Sequence, residues 1–139
     1  MARIMAFDYG TKRIGIAVTD PLKLIANGLS TIHPKDVVEF LKKYLKTEQV
    51  ETFVLGEPRQ MNGAASQSAQ HVKGFATILN KHFPEIPVVM IDERFTSKMA
   101  SATIAQSGLK KHARQDKALI DTVAATIILQ SYMEKVSLL

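Results

Sequence analysis

Three short apolar runs with few helix formers, followed by apolar stripes that alternate between helical and strand spacing, constrain the fold of this chain more than any other feature. The three runs lie within residues 4–31 and are separated by Tyr9-Gly10-Thr11-Lys12 and by Asp20-Pro21-Leu22-Lys23. Turn-forming residues between such runs predict a three-strand antiparallel meander. After Pro34 the period changes. Val37, Val38, Phe40, Leu41, Tyr44 and Leu45 share one side of a helix, and Lys42, Lys43 and Lys46 take the other. Residues 50–55 then read as a strand. A loop carrying Pro58 and Asn62-Gly63 leads into a second helix with the stripe Val72, Phe75, Ala76, Leu79 and Phe83, stopped by Pro84. Residues 87–91 form another strand. Thr96 or Ser97 can cap a short third helix that ends at Gly108. The basic stretch Lys110-Lys111-His112-Ala113-Arg114 joins it to a last helix, from near Gln115 to about Lys135.

The order βββαβαβαα predicts a single α/β domain over residues 1–139, with a central five-stranded mixed sheet flanked by helices. Three strands are antiparallel. The two that follow, at 50–55 and 88–91, are each reached through a helix, so they are expected parallel to the first strand and in the middle of the sheet. With 139 residues, 46% of them hydrophobic, the chain can bury a core without disulfides or a structural metal. It has no Cys, which excludes thiolate chemistry and zinc sites built on Cys. Asp8 breaks the first apolar run and no stretch of about 18 apolar residues follows, so neither a signal peptide nor a spanning helix is expected. A cytoplasmic protein with no membrane partner is the expectation. The 18 Lys and Arg against 13 Asp and Glu leave a net charge of +5, which hints at a nucleic-acid partner. Aromatic residues are only 6%, so no stacking platform for single strands is evident and phosphate contact must carry the affinity.

Acids at strand ends carry the functional signal. Asp8 closes the first strand with the parity of Ile4 and Ala6, where a carboxylate is costly unless it is paired or binds a cation. Asp92 and Glu93 close the fifth strand, at the edge where open α/β sheets bind ligands. Asp121 lies in the last helix among Leu119, Ile120, Val123, Ala124 and Ala125, where a solvated charge is out of place. If that helix packs across the sheet, Asp8, Glu93 and Asp121 converge into a set of hard oxygen ligands for divalent cations. Each acid also has a plainer role. Asp8 can start the turn through Tyr9 and Gly10, and Asp92 can cap the third helix or pair with Arg94. Asp121 can pair with Lys117 one turn earlier, and Glu57 is either a further ligand or a loop acid.

Taken together, the motifs say more than their spacing. Asp8-Tyr9-Gly10-Thr11-Lys12-Arg13-Ile14-Gly15-Ile16-Ala17 is followed by Val54-Leu55-Gly56-Glu57-Pro58 with Asn62-Gly63. Asp92-Glu93-Arg94-Phe95-Thr96-Ser97 comes next, and then Lys117-Ala118-Leu119-Ile120-Asp121 with Ala124-Ala125 and Ile128-Leu129. In this order they closely resemble the YqgF family, also described as RuvX-like Holliday-junction resolvases or pre-16S ribosomal RNA nucleases. The resemblance spans nearly the whole chain. It implies an RNase H-like fold, a cytoplasmic bacterial protein and metal-dependent cleavage of nucleic-acid phosphodiesters during ribosomal RNA maturation. The family's acidic positions fall on Asp8, Glu93 and Asp121. One departure is the second motif, usually Val-Gly-Leu-Pro, which here carries Glu57 in place of Leu; Glu57 can therefore join the site or replace a ligand.

The same resemblance implies two Mg²⁺ or Mn²⁺ ions held by these acids, activating water and stabilising the leaving oxygen. Arg13, Arg94 and Lys117 match basic positions beside the acids and are expected to neutralise the scissile or flanking phosphates. Lys110, Lys111 and Arg114 can extend that basic track or form a solvated connector. His112 can serve as a proton shuttle or sit exposed, and His33, His71 and His82 carry no functional signal. Precursor ribosomal RNA and branched DNA both fit as partners. A symmetric cut of a junction calls for a homodimer, whereas trimming an RNA end is open to a monomer. Two other classes compete. Sugar kinase and actin-like ATPases also begin with Asp-x-Gly-Thr but close two such domains around ATP, and 139 residues supply one. A non-catalytic nucleic-acid-binding module would keep the fold and the basic surface without turnover.

Overall fold

The computed structural model describes residues 2–57, 69–92 and 117–136, with the backbone alone at 57, 69, 92 and 117–121. Strands β1 (Arg3–Tyr9), β2 (Ile14–Thr19) and β3 (Ala26–Ile32) form the meander. Then follow helix α1 (Val37–Tyr44), β4 (Val50–Glu57), α2 (Ala69–His82), β5 (Val88–Asp92) and α3 (Lys117–Lys135). The expected third helix after Thr96 or Ser97, and the basic stretch from Lys110 to Arg114, lie outside the described residues.

The strands form one five-stranded sheet in the order β3-β2-β1-β4-β5. β2 is antiparallel to β1 and to β3, whereas β4 is parallel to β1 and β5 is parallel to β4. The mixed sheet is therefore the expected one. β5 departs from the expectation in one respect: it is the outermost strand, not a middle one. β1 has β2 on one side and β4 on the other, so a further crossover in the same sense can only carry β5 beyond β4. Its exposure agrees, since Val88, Val89 and Met90 are half-buried and only Ile91 is buried.

Both faces of the sheet are covered, as the continuous apolar runs of β1 and β2 require. On one face Met5, Phe7, Ile14, Ile16, Phe53 and Leu55 pack with Val37 and Leu41 of α1 and with Val72, Phe75 and Leu79 of α2. Of the predicted stripe, α1 buries Val37 and Leu41 and half-buries Val38, Phe40, Tyr44 and Leu45, while Lys42 and Lys43 are exposed. A single 3₁₀ turn with Pro34 at its first position precedes it, and His33 accepts from the Lys35 amide through Nδ1 (3.1 Å), so this histidine is a capping residue. On the other face Ile4, Ala6, Ala17, Val54 and Ile91 pack against Ala125, Ile128, Leu129 and Met133 of α3. Among the described residues, no helix is long and apolar enough to cross a membrane.

Candidate metal centre at the carboxyl edge of the sheet

Asp8 lies one residue from the end of β1, half-buried, at the position that follows Ile4 and Ala6 on the face covered by α3. Its row across the sheet is unusual in composition. Asp8 is registered with Gly15 of β2, and Gly15 with Thr31 of β3. On the other side the pairing runs up to Phe7 with Leu55, so the next position along β4 is Gly56. A carboxylate thus stands between two glycines, and the sheet carries no side chain on either side of it. Adjacent strands are about 4.8 Å apart, which leaves roughly 10 Å between the Asp8 and Thr31 backbones. The turn that follows is tight: a Cβ on Gly10 would sit 2.7 Å from the Arg13 carbonyl oxygen. This folds the half-buried Arg13 back toward the end of β1.

The direction of α3 brings its first turns to the same edge. Thr122 and Thr31 share a hydrogen bond between their hydroxyls (2.8 Å). A Cβ built on Gly28 would meet the Thr122 Cγ2 at 2.2 Å and the Thr126 Oγ1 at 3.6 Å. Thr31 is near the end of β3 and Gly28 is three residues earlier, so the helix runs from the end of β3 back along it, antiparallel to β3 and β1. The start of α3 therefore lies at the carboxyl edge. Asp121 is the residue before Thr122, and Lys117 begins the helix.

β4 and β5 end at this edge too, with Glu57 registered beside Asp92. Their parity separates them from Asp8. Position 57 follows Phe53 and Leu55, and position 92 follows Val88 and Met90, all packed toward α1 and α2. Asp8 shares its face with Val54 and Ile91 instead. Alternation along β4 already carried this distinction in the sequence. Glu93, Arg94, Lys110, Lys111, His112 and Arg114 lie outside the described residues. His71 and His82 are exposed on α2, without a role at the edge.

Among the described residues, no group of three His, Cys, Asp or Glu side chains could hold a metal ion. What the edge does offer is a hard carboxylate donor flanked on both sides by glycine, with Thr31 beyond Gly15 in the same row. That combination fits a divalent cation that keeps part of its water shell, because Mg²⁺ and Mn²⁺ prefer oxygen ligands and need room for water. The sequence motifs include Gly15 and Gly56 without giving either a role in the site, and Gly28 lies outside them. A glycine inside a strand run was the available signal, since it marks a bulge or a close approach.

A central mixed sheet in this order, with two helices on one face and a long helix on the other, defines the RNase H-like class in its RuvC-like form. Solved structures share it. The Fowlpox virus resolvase in complex with its substrate Holliday junction DNA has a TM-score of 0.61 at 14% identity, covering 96% of this chain and 98% of that one. RuvC of T. thermophilus in complex with a Holliday junction substrate has a TM-score of 0.55 at 16% identity, covering 98% and 96%. Likeness at such identities concerns the fold alone. Sequence goes further. Residues 2–135 match the family described as "RuvX: Holliday junction resolvase". A Christiangramia forsetii protein named "Putative pre-16S rRNA nuclease" is 52% identical over 133 residues, covering 96% of this chain and 98% of its own length. A Porphyromonas gingivalis protein of the same name is 52% identical over 134 residues, covering 96% and 97%. The chain belongs to the RuvX family.

Proposed function

We propose that this chain is a cytoplasmic, metal-dependent nuclease of a single catalytic domain that hydrolyses phosphodiesters at the 5′ end of pre-16S ribosomal RNA. The observation that carries the reading is Asp8 between two glycines on the face where α3 begins, in a chain about half identical to relatives named for that activity. Asp8, Glu93 and Asp121 are the proposed ligands of two Mg²⁺ or Mn²⁺ ions. Glu93 is the position on which the family's second acid falls, and this favours it over Glu57. When bound, the ions supply the Lewis acidity that activates water for attack on phosphorus and stabilises the departing 3′ oxygen. Arg13, Arg94 and Lys117 hold the flanking phosphates, and Lys110, Lys111 and Arg114 extend the basic track.

The test is cleavage of end-labelled precursor ribosomal RNA, single-stranded RNA and a four-way DNA junction in Mg²⁺ or Mn²⁺. Asp8→Asn, prepared identically, should be slower by about 10³-fold or more, because a lost metal ligand forfeits several kcal/mol of transition-state stabilisation. Preference for the junction would shift the substrate to branched DNA, in line with the description of the family. Equal cleavage by both proteins, or none by either, would instead support a module that binds nucleic acid without turnover.

A further inference from the structure

We infer that Gly28, Thr31 and Thr122 form a positioning lock that sets the height of α3 above the sheet and, through it, the placement of Asp121 at the metal centre. The inference rests on the nuclease reading above, and it gives a role to β3, a strand that contributes no acid to that centre.

The lock has two parts, and each limits the other. Gly28 allows the helix to approach so closely that a single added methyl would stand 2.2 Å from the Thr122 Cγ2. Ordinary contacts between carbon atoms are near 3.5–4.0 Å, so an alanine there needs a shift of at least about 1 Å. The Thr122 methyl cannot swing aside. Threonine is β-branched and stiff about χ1, and its hydroxyl is bonded to that of Thr31 at 2.8 Å, so rotating the methyl away breaks the hydrogen bond. Relief therefore has to come from the helix as a body. Thr31 belongs to the same row as Asp8, with only Gly15 between them. The bond from Thr31 to Thr122 thus ties the helix to the sheet at the level of Asp8, one residue after Asp121. Displacements of about 1 Å in a catalytic constellation cost about 10²-fold in rate, which makes this close approach consequential for function.

The experiment measures Mn²⁺ binding to the full chain by calorimetry, alongside thermal unfolding, for wild type, Gly28→Ala, Thr31→Val and the double variant Gly28→Ala/Thr122→Ser. Serine keeps the hydroxyl and deletes the methyl that Gly28→Ala would strike. Mn²⁺ affinity should fall about tenfold in Gly28→Ala and return to within about threefold of wild type in the double variant. Thr31→Val, which removes the hydroxyl and adds no clash, should weaken Mn²⁺ by a smaller factor, and it decides the matter if Gly28→Ala does not fold. A Gly28→Ala or Thr31→Val protein that melts earlier yet binds Mn²⁺ as the wild type does would overturn the lock and leave the nuclease reading intact. Failure of serine to restore binding would overturn it as well. Absence of Mn²⁺ binding in the wild type would instead remove the metal centre, and the lock with it.

Discussion

The two faces of the sheet are built from different residues. On the side of α1 and α2 the core is aromatic. Phe7 meets Phe53 and Phe75 edge-on, with ring centroids 5.4 and 5.3 Å apart, Phe53 meets Phe83 at 5.9 Å, and Tyr9 stacks on Phe75 at 4.9 Å. On the side of α3 the core is aliphatic, with Ile4, Val54, Ile91, Ile128, Leu129 and Met133, and small residues, Ala6, Ala17, Gly28 and Ala125, are interspersed among them. Large rings bury much apolar area and favour specific edge-to-face geometry, so the first face is suited to holding the fold together. Small residues contribute less area but let a helix backbone come near the sheet. Asp8 belongs to the second kind of face, where a close approach of helix and sheet suits the ion shared between separate elements that the proposed function calls for. On the proposed function, stability and chemistry are thereby divided between opposite sides of the same strands.

That division is open to a direct challenge from paired substitutions. Phe53→Ala empties a fully buried site on the aromatic face and should cost about 3–5 kcal/mol in urea unfolding. Mn²⁺ affinity of the molecules that remain folded should stay within about twofold, since distant sites act independently. Ala17→Leu overpacks the other face and should cost less, about 1–3 kcal/mol, yet it lifts α3 and should weaken Mn²⁺ more than Phe53→Ala does. Finding the metal affinity hit harder by the phenylalanine change would erase the distinction between the faces.

Much of this arrangement was legible in the sequence because periodicity reports which residues are buried. The stripe of Val72, Phe75 and Leu79 on α2, and the runs that became β1 and β4, needed nothing beyond counting apolar positions. The position of β5 was harder to read. A continuous run such as Val88-Val89-Met90-Ile91 looks the same in a central strand and in an outer one covered on both faces, and only the sense of the crossover decides. Asp8 was legible as a costly charge on an apolar parity. The roles of Gly28 and Thr122 were not, because their meaning arises from a contact between residues 94 positions apart, and neither is informative until α3 is laid on β3.

Glycines sharpen the contrast at smaller magnitude. Gly74 sits in the middle of α2, exposed, with nothing within 4 Å of where a Cβ would be. Its lack of a side chain serves no packing there and costs helix propensity. Gly74→Ala should therefore stabilise the protein by about 1 kcal/mol in the same urea measurement and leave Mn²⁺ binding unchanged. The opposite outcomes expected for Gly28→Ala and Gly74→Ala separate a glycine required by a close approach from one that is not. A destabilised Gly74→Ala would mean that α2 is covered by something at that position.

The smallest effect belongs to the β2–β3 turn, where neither face supplies packing. Leu22, Leu24 and Ile25 are more than half exposed, and Lys23 adopts a left-handed backbone (φ 61°). Order here depends on Asp20, whose Oδ1 accepts from the amides of Ile25 (2.7 Å) and Leu24 (2.8 Å) and whose Oδ2 accepts from Leu22 (3.2 Å). The bond from Ile25, ahead of the opposing desolvation and the help from Leu24, holds the carboxyl below its ordinary value of 3.8. A depressed value means that the turn's stabilisation is complete above pH 3.8 and is lost as pH falls through the lower, folded-state value. Amide hydrogen shifts of Leu24 and Ile25 followed by NMR should titrate with a midpoint below 3.8, while the Phe53 amide in β4 stays constant over the same range. A midpoint at or above 3.8 would show that the carboxylate does not organise this turn. Loss of the Phe53 signal in step with the turn would show that the turn and the aromatic face unfold as one unit.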